Sequence, residues 1–563
     1  MTAPGPPAVG PSRPARPHGG GESHRPAARR WWLPPGLLAL VLAAVLLRIA
    51  GASRPGLWAD EIFSLAIATG HSLEHPAAEA DPGLGDFVEP RDARSPALFR
   101  RYAQHDGQPA GARRVVRSVL LSDTNPPLYY LLLNPWTRAF GTGDAALRLF
   151  SVWWAVLSLP LLWLVARELG GERAAWSACV LFAFSPVGLY YSSEGRMYSL
   201  LWFLALGLVW LTLRVSGAGG RPQHAALWVL SGTAGLLTHY FFVFVWLACA
   251  GWLWLEGSPG RRRHVAALAG ATLLAGLPWY LAVPASLARW RVSGGWLDGD
   301  PVWPSALGRP FALAGSLLSG SSYLGGWRHA DGVLAVLFLL LALWIARHGS
   351  VRSLFSDRRL LLWGWLAASC VGPLVFDTLR HTATTEVPRY VLPALPAALL
   401  LAAFAMSRLS PRLHLAFLGA VLLAWLPGAR KATLPSIPRP SQPYRLVDAR
   451  LMSWAGADDL VLVSATPSGV VGVARYLERE IPMASWVPQL GTRELEPDLQ
   501  RLLAGRRRVA LVKITHLGAP APAEAWLRVH ARPLGRDTFR SSKAEVLYFG
   551  PREGEAFFPE AAP

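Results

Sequence analysis

The 563-residue sequence predicts a polytopic α-helical membrane protein with a small α/β domain at its C-terminal end. Long apolar runs recur between about residues 33 and 427, and short Arg-rich loops separate many of them. Only 16% of all residues are charged, fewer than the roughly 25% of soluble domains. A bilayer offers no hydrogen bonds to an exposed backbone, so apolar segments within it must be helices.

The apolar runs predict about eleven transmembrane helices. Arg29 and Arg30 precede the first run, which places the N-terminus in the cytoplasm because positive charge collects in cytoplasmic loops. Every second loop is then cytoplasmic, and these loops are basic. The predicted spans are residues 33–50, 146–166, 174–192, 197–214, 225–238, 240–256, 264–284, 331–347, 360–377, 390–406 and 411–427.

Residues 126–140, PPLYYLLLNPWTRAF, are apolar but are interpreted as an interfacial helix on the outer face. The run is shorter than the ~20 residues of a straight span and contains Asn, Pro and Arg. One more span at this point would reverse the side of every later loop and would place the basic loops outside the cell. The predicted first external loop therefore covers 51–145. Its segment 71–122 is rich in Arg, but translocated loops of that length escape the charge rule.

The two ends of the chain differ from the middle. Residues 1–30 are rich in Pro, Gly, Ala and Arg, which predicts a disordered cytoplasmic tail. Residues 31–428 form the predicted membrane domain, after which hydrophobicity falls. In 429–563 the runs LVLVSA and RRVALVKIT are typical of strands and flank a helical pattern, which predicts an extracytoplasmic α/β domain without a phosphate-loop glycine motif.

Charge and cysteine content exclude several kinds of protein. A net charge of +19 would suggest nucleic-acid binding in a soluble protein, but here the basic residues lie between apolar runs, so no nucleic-acid partner is expected. Cys179, Cys249 and Cys370 fall inside apolar runs and are interpreted as packing residues. The acidic residues have no metal-ligand spacing, so we expect no metal or other cofactor, with a divalent ion left open.

Polar residues collect at the predicted external ends of the spans. A cluster of acids and cations at that depth suits a reaction between a lipid-borne anion and a water-borne acceptor. Guanidinium groups grip phosphate, and a carboxylate can accept the proton of an attacking hydroxyl. The candidates are Asp60 or Glu61 as general base, Arg148, Arg196 and Arg389 as ligands of a donor phosphate, and Asn125, Glu194, His239, Tyr240 and Tyr390 as further site residues.

Each candidate also has a structural interpretation that the sequence leaves open. The acidic pair could stabilise the dipole of a short helix, and the three arginines could anchor helix ends at the lipid head groups. His239 could be an interfacial histidine with satisfied hydrogen bonds. Glu194 could pair with Arg196 or help to hold a metal.

Six motifs occur in an order found in one group of membrane enzymes. They are LWADEIFSL, NPPLYYLLL, GDAALRLFSVWW, YYSSEGRMYSL, THYFFVFV and VPRYVLPALPAALLL. With them the chain resembles the GT-C superfamily, and within it the bacterial family 39-type and RgtA/B/C/D-like glycosyltransferases, relatives of protein O-mannosyltransferases and aminoarabinose transferases. The resemblance covers roughly residues 33–427.

The resemblance implies a GT-C fold and an inverting transfer of one sugar from a polyprenyl-phosphate donor to a hydroxyl of a cell-envelope glycan, lipid or protein. It implies that Asp60 of the acidic pair is the base, and it matches Arg148, the Glu194–Arg196 pattern and the Arg389–Tyr390 pair to family positions. Phe63 and Asn125–Pro126 depart from the aminoarabinose transferases, so that substrate is not expected.

These features together predict a multi-pass plasma-membrane glycosyltransferase in contact with the lipid bilayer. The alternatives are a transporter or flippase of lipid-linked sugars and a non-catalytic subunit of an envelope-assembly complex. Transporters usually carry charged or broken helices near the membrane midplane, whereas the ionisable residues here cluster at one face. The intact acidic pair argues against the non-catalytic subunit.

Overall fold

The structure is a computed structural model in which a helical membrane domain carries a five-stranded sheet domain. It describes residues 35–558 except 108, 123–124, 218–220, 289–294, 321–327, 349–350, 356, 435–442, 515–521 and 540–543. The tail predicted to be disordered, 1–30, lies outside the described residues.

The α-helices follow one another as α1 Pro35–Ala52, α2 Ala59–Ala68, α3 Pro96–Arg100, α4 Ala112–Ser122, α5 Leu128–Phe140, α6 Asp144–Phe184, α7 Pro186–Ser192, α8 Tyr198–Ser216, α9 Pro222–Leu236, α10 Phe242–Leu255, α11 Pro259–Leu287, α12 Arg309–Ser316, α13 Arg328–Arg347, α14 Val351–Leu354, α15 Asp357–Arg380, α16 Leu395–Met406, α17 Pro411–Thr433, α18 Tyr444–Trp454, α19 Pro467–Tyr476, α20 Leu495–Leu503 and α21 Pro522–His530. The strands are β1 Asp459–Ser464, β2 Met483–Trp486, β3 Arg508–Ile514, β4 Arg532–Phe539 and β5 Ala544–Gly550.

The membrane domain is built around α6. Among the described residues, seven helical segments are long and apolar enough to cross a membrane, and α1 and α10 are shorter apolar helices. The 41 residues of α6 contain the predicted span 146–166 and the first part of the span 174–192, joined at Gly171, whose φ of 79° is a left-handed conformation that suits glycine. α1, α8 and α16 pack against α6. The chain is thus a multi-pass membrane protein, and the count of eleven spans stays a prediction.

One predicted span is interrupted. The run 174–192 is helical only to Phe184, and α7 begins afresh at Pro186. Ser185 between them has an extended ψ of 123°, and its hydroxyl accepts a hydrogen bond from Gly188 N at 3.2 Å. Proline lacks the N–H that would continue the helix and restricts the residue before it, so the Ser-Pro pair ends one helix and caps the next.

The C-terminal domain contains a mixed sheet in the order β2-β1-β3-β5-β4. β2, β1 and β3 run parallel, whereas β5 pairs antiparallel with both β3 and β4. The predicted strands are present as β1 and β3, with residue 515 outside the described residues. The last membrane helix, α17, runs on to Thr433, past the predicted domain boundary at 428.

The sheet joins the two domains because successive residues of a strand face opposite sides. Val461 and Val463 of β1 belong to the same hydrophobic core as the membrane helices. Leu460 and Leu462 face a separate core formed with α20 and α21. Both faces of β1 are buried, as expected for a parallel strand covered on each side.

The predicted first external loop, 51–145, is attached to this sheet. Arg94 and Met483 exchange backbone hydrogen bonds of 2.8 and 2.9 Å, so residue 94 adds an extended segment beside β2. The Arg493 guanidinium donates to the carbonyls of Arg91 and Pro90 at 2.7 and 2.6 Å. The loop and the C-terminal domain therefore form one structural unit over the membrane helices.

Candidate active site

The candidate site begins at α2, the short helix that carries the acidic pair. Trp58 precedes α2 with extended backbone, and its N–H donates to the Glu61 carboxylate at 3.3 Å. Asp60 and Glu61 lie in the first turn, where the helix dipole favours negative charge. Neighbouring helical residues point about 100° apart. The Glu61 side chain is consequently 0% exposed, whereas that of Asp60 is 24% exposed.

Glu61 forms a buried bidentate ion pair with Arg148 of α6. The Arg148 Nε and Nη2 atoms donate to the two carboxylate oxygens at 2.7 and 2.6 Å. The backbone N–H of Gly195 adds a third hydrogen bond to Glu61 at 2.8 Å. Arg148 also donates to the carbonyls of Arg54 and Gly56, at 2.6 and 2.7 Å. Both side chains are fully buried, so this pair holds the loop before α2 against α6.

Asp60 faces a different cation. Arg389 Nη1 donates to Asp60 Oδ2 at 3.2 Å, and the guanidinium is 20% exposed. Three aromatic rings surround Arg389, with centroids 5.7 Å away for Trp58, 5.3 Å for Trp296 and 5.8 Å for Tyr390. Such rings stabilise a cation while leaving its N–H donors for an anion. Asp60 and Arg389 are thus accessible to a substrate on the same side of α2.

Arg196 lies behind α2, next to Asp60. Its Nη1 atom donates to the Asp60 carbonyl at 3.3 Å, to the Ser64 hydroxyl at 3.3 Å and to the Tyr130 hydroxyl at 3.2 Å. Arg196 is 6% exposed, and Glu194 of the same turn is 1% exposed. The turn between α7 and α8 therefore brings a second guanidinium to the acidic helix.

His239, Tyr240 and Tyr390 surround the end of the site near α10. The His239 ring lies 6.1 Å from the Tyr390 ring, and its Nδ1 accepts a hydrogen bond from Phe241 N at 3.1 Å. Tyr240 instead packs against Tyr280 of α11, with ring centroids 6.0 Å apart. Tyr390 thereby links His239 to Arg389, whereas Tyr240 contacts a neighbouring helix.

Asn125 is half-buried in the segment that leads into α5. In the same segment Leu128 N donates to Leu237 O at 2.9 Å, which ties the start of α5 to the turn after α9. That turn carries His239. Asn125 stands three residues before this contact, so the backbone that carries it leads toward the α9–α10 turn.

The C-terminal domain clamps the loop that precedes α2. The Tyr476 hydroxyl accepts from Leu57 N at 2.7 Å and donates to Asp144 Oδ2 at 2.7 Å. Arg475 Nε donates to Asp144 Oδ1 at 2.9 Å, and Gly56 N donates to Asp144 Oδ2 at 3.2 Å. One carboxylate at the start of α6 therefore joins α19 to the backbone beside the acidic pair.

Tyr444 brings the same domain close to Asp60. Its side chain is fully buried, and the Gly472 backbone approaches so closely that a Cβ there would lie 2.5 Å from the ring. Burial raises the pKa of the Tyr444 hydroxyl, and the negative charge of Asp60 raises it further. Helix α19 of the same domain packs against α2, so the C-terminal domain lies beside the helix that carries Asp60.

The sequence patterns did not identify Trp58, Trp296, Tyr444 or Tyr476 as site residues. Trp58 stands in the LWADE motif, and its position beside the acidic pair was an available signal. The other three lie in segments without a recognisable motif. Their proximity to the site arises from tertiary folding, which spacing along one chain does not reveal.

The site combines a partly exposed carboxylate with one partly exposed and one buried guanidinium group. This arrangement can accept a proton at Asp60 and bind an anion at Arg389. Within the described ranges, no group of three or more His, Cys, Asp and Glu side chains could hold a metal ion. The expectation of no metal stays a prediction.

Comparison with known proteins gives two related findings. Residues 124–283 match the family model of dolichyl-phosphate-mannose-protein mannosyltransferases. The fold is similar to that of ArnT from Cupriavidus metallidurans bound to undecaprenyl phosphate, with a TM-score of 0.52 and 13% identity over 91% of this chain and 97% of that one. Its apo form gives a TM-score of 0.50 and 14% identity over 91% and 98%. No curated protein gives a significant sequence match.

The family match and the structural match differ in the part of the chain that they cover. The family match starts just before α5 and ends within α11, so it includes Arg148 and Arg196. The structural match extends over 91% of the chain. The chain therefore shares the fold of ArnT, and part of its membrane domain is similar to the mannosyltransferase family, in line with the resemblance to GT-C glycosyltransferases.

Proposed function

We propose that this protein transfers a monosaccharide from a polyprenyl-phosphate donor to a hydroxyl of a cell-envelope glycan, lipid or protein on the extracytoplasmic face. The observation that carries the proposal is the 3.2 Å contact between Asp60, the partly exposed member of the acidic pair, and Arg389. The ArnT structure with bound undecaprenyl phosphate has the same fold, which supports a lipid phosphate as part of the donor.

The proposed reaction is a single displacement. The acceptor hydroxyl gives its proton to the Asp60 carboxylate while its oxygen attacks the anomeric carbon of the sugar. The bond between that carbon and the phosphate oxygen breaks, and the lipid phosphate leaves with the electron pair. Attack opposite the leaving group inverts the anomeric centre.

Arg389 and Arg196 are the proposed ligands of the departing phosphate. Its negative charge increases as the glycosidic bond breaks, so cations already in place stabilise the transition state more than the ground state. Arg389 has the exposure that direct contact requires, and its contact with Asp60 would yield to the phosphate. Arg196 lies deeper and orders Asp60 through the carbonyl of that residue.

Glu61 and Arg148 have a positioning role in this proposal. Both side chains are 0% exposed. The Glu61 oxygens face the Arg148 guanidinium, whose terminal nitrogens also donate to nearby backbone carbonyls. A phosphate could reach Arg148 only by displacing Glu61 from a buried pair. This assignment differs from the sequence-based interpretation, which counted Glu61 as a possible base and Arg148 as a phosphate ligand.

Sugar transfer in membranes tests the proposal directly. Membranes containing wild-type protein, Asp60→Asn or the exposed control Asp458→Asn would receive labelled polyprenyl-phosphate sugars, with mannose first. We expect label in envelope acceptors with wild type and control, and a loss of about 10²–10⁴-fold with Asp60→Asn at equal protein level. Equal transfer by all three would refute Asp60 as the base.

The stereochemistry of the product tests the displacement separately. A donor of known anomeric configuration should give the opposite configuration in the product, as measured by the one-bond carbon–hydrogen coupling at the anomeric position. Retention would require a covalent intermediate or a second step and would overturn the single displacement.

A further inference from the structure

A second charged site lies at the hairpin within α6, far from the acidic pair. It is a pocket of about 330 Å³, and we call it the arginine pocket. The residues that line it are Gly170, Glu172, Arg173, Arg359, Ser407 and Arg408. They come from the hairpin, from the start of α15 and from the turn between α16 and α17. Three guanidinium groups face one carboxylate there, so the lining is positively charged.

The backbone holds two of these arginines in place. The Arg359 Nε and Nη2 atoms donate to the Leu169 carbonyl at 3.1 and 2.9 Å, and the guanidinium lies 5.4 Å from the ring of Phe404. Arg173 Nη1 donates to Leu409 O at 3.3 Å. These carbonyl contacts fix the orientation of both guanidinium groups at the pocket.

Arg408 is the member of the pocket with an unused buried donor. Its Nε atom is buried and has no hydrogen-bond partner within the described part of the chain. The charges of Arg408 and Arg359 also repel each other. A buried guanidinium N–H without an acceptor, close to a like charge, is unfavourable unless an anion binds. This donor points to a ligand rather than to a surface that is merely basic.

The pocket lies at the membrane face opposite the candidate active site. Helix α6 starts at Asp144, beside the acidic pair, and reaches the pocket at Gly170. At 1.5 Å per residue this limb is about 40 Å long, more than the ~30 Å hydrocarbon core. The donors of the pocket are therefore within reach of lipid head groups, and the pocket cannot take part in the reaction at Asp60.

We propose that the arginine pocket binds the phosphate group of an anion at this membrane face. Guanidinium forks match phosphate oxygens, and pockets of basic residues between membrane helices bind anionic head groups. The same chemistry is presented by an anionic phospholipid and by free phosphate. A bound phosphate would neutralise Arg173, Arg359 and Arg408 together and would fasten the α6 hairpin to α15 and α16.

Thermal unfolding of the purified full-length protein in neutral detergent tests the proposal. The additions are phosphatidylglycerol, phosphatidylcholine, or inorganic phosphate matched in ionic strength by chloride. The variants are Arg408→Gln and, as control, Arg412→Gln, an exposed arginine of the same turn region outside the pocket. Native mass spectrometry would count the lipids that remain bound to each variant.

We expect phosphatidylglycerol, but not phosphatidylcholine, to raise the melting temperature of wild type and Arg412→Gln. In Arg408→Gln the binding should weaken about tenfold, as expected for loss of one charge-assisted contact. A stabilisation by inorganic phosphate that disappears in Arg408→Gln would identify free phosphate as the ligand instead. Equal lipid and phosphate responses in Arg408→Gln and Arg412→Gln would overturn the site.

A second variant keeps the test decisive if Arg408→Gln does not fold. Arg173→Gln changes an exposed side chain of the same pocket and should show the same selective loss. The experiment measures lipid and phosphate binding, so its result does not depend on the sugar donor, the sugar acceptor or the role of Asp60. Sugar transfer and lipid binding can therefore fail independently.

Discussion

Asp60 and Glu61 are neighbours in the chain, yet they form two different kinds of ion pair. Glu61 is fully buried and makes a bidentate pair with Arg148, in which further backbone groups complete the hydrogen bonding. Asp60 is partly exposed and makes one 3.2 Å contact with Arg389. A buried pair with several further hydrogen bonds fixes the backbone around it, whereas an exposed pair with a single contact can be opened by a substrate.

The largest expected effect comes from breaking the buried pair. Arg148→Met would leave the Glu61 carboxylate buried without its cation, which costs about 3–5 kcal/mol of folding free energy. We expect little folded protein after detergent extraction, as judged by size-exclusion chromatography and apparent melting temperature. Arg167→Met, an exposed arginine on the same helix, is the control and should behave as wild type.

The double variant Glu61→Leu, Arg148→Met separates the loss of a pair from the loss of one partner. Because it leaves no unpaired charge, it should regain much of the stability that Arg148→Met loses. If Arg148→Met folds normally and loses only donor binding, Arg148 is a phosphate ligand, as the sequence first suggested.

The exposed pair should respond in the opposite way. Arg389→Gln should lower kcat about 10²–10³-fold because one cation at the departing phosphate is lost, while the melting temperature changes little. Arg309→Gln is a matched control, since Arg309 is 23% exposed and pairs with Glu386 at 2.9 Å. A large fall in stability with unchanged kcat would make Arg389 a structural residue like Arg148.

Asp448 provides a third carboxylate, buried like Glu61 but without a guanidinium. Neither of its oxygens has a hydrogen-bond partner among the described residues, and burial raises its pKa well above the ordinary value. The folded state then holds the proton more tightly than the unfolded state. The contribution of protonated Asp448 to stability is therefore present below about pH 4 and is lost as the pH rises toward the pKa of Asp448 in the folded state.

Asp448→Asn should remove this pH dependence. Over the window between the ordinary and the raised pKa, the wild-type free energy of unfolding falls by up to about 1.4 kcal/mol per pH unit. The melting temperature of Asp448→Asn should thus exceed that of wild type at neutral pH and approach it in acid. Asp458→Asn, at an exposed position, should retain the wild-type slope of unfolding free energy against pH. If Asp448→Asn also retains that slope, Asp448 is ionised in the folded protein.

The smallest expected effect concerns the clamp between the domains. Tyr476→Phe removes the hydroxyl that joins Leu57 N to Asp144 and should cost about 1 kcal/mol. Hydrogen exchange at the Leu57 amide should accelerate, and sugar transfer should fall less than in Arg389→Gln. Tyr548→Phe, which removes a hydroxyl bonded to Asp537 inside the sheet domain, should leave that amide unchanged. Equal exchange in both variants would show that the clamp does not hold the loop.

Hydropathy predicted most membrane helices because a helix in lipid needs a long apolar run, independent of which helices pack against it. It did not show the break at Ser185, where one Ser-Pro pair ends a helix inside an apolar run. It also gave no sign of β4 and β5. β4 is largely exposed, so it lacks the apolar run that marked β1 and β3.

For the site, motif order brought Asp60, Arg196 and Arg389 to attention, and the structure places them together. The sequence could not distinguish Asp60 from Glu61, because the difference lies in which partners the rest of the fold supplies. Arg148 is 87 positions from Glu61, and Arg389 is 329 positions from Asp60. Burial of one pair and exposure of the other are properties of packing across those separations.

The pairing of Arg94 with Met483 has a consequence for how the protein is made. A ribosome that feeds the chain into the membrane releases the segment around Arg94 long before it has translated β2. Until then the loop lacks the strand beside it, and α2 lacks the contact with α19. The surroundings of α2 are therefore complete only after the C-terminal sheet domain has been made and has folded, so a truncated product would lack them.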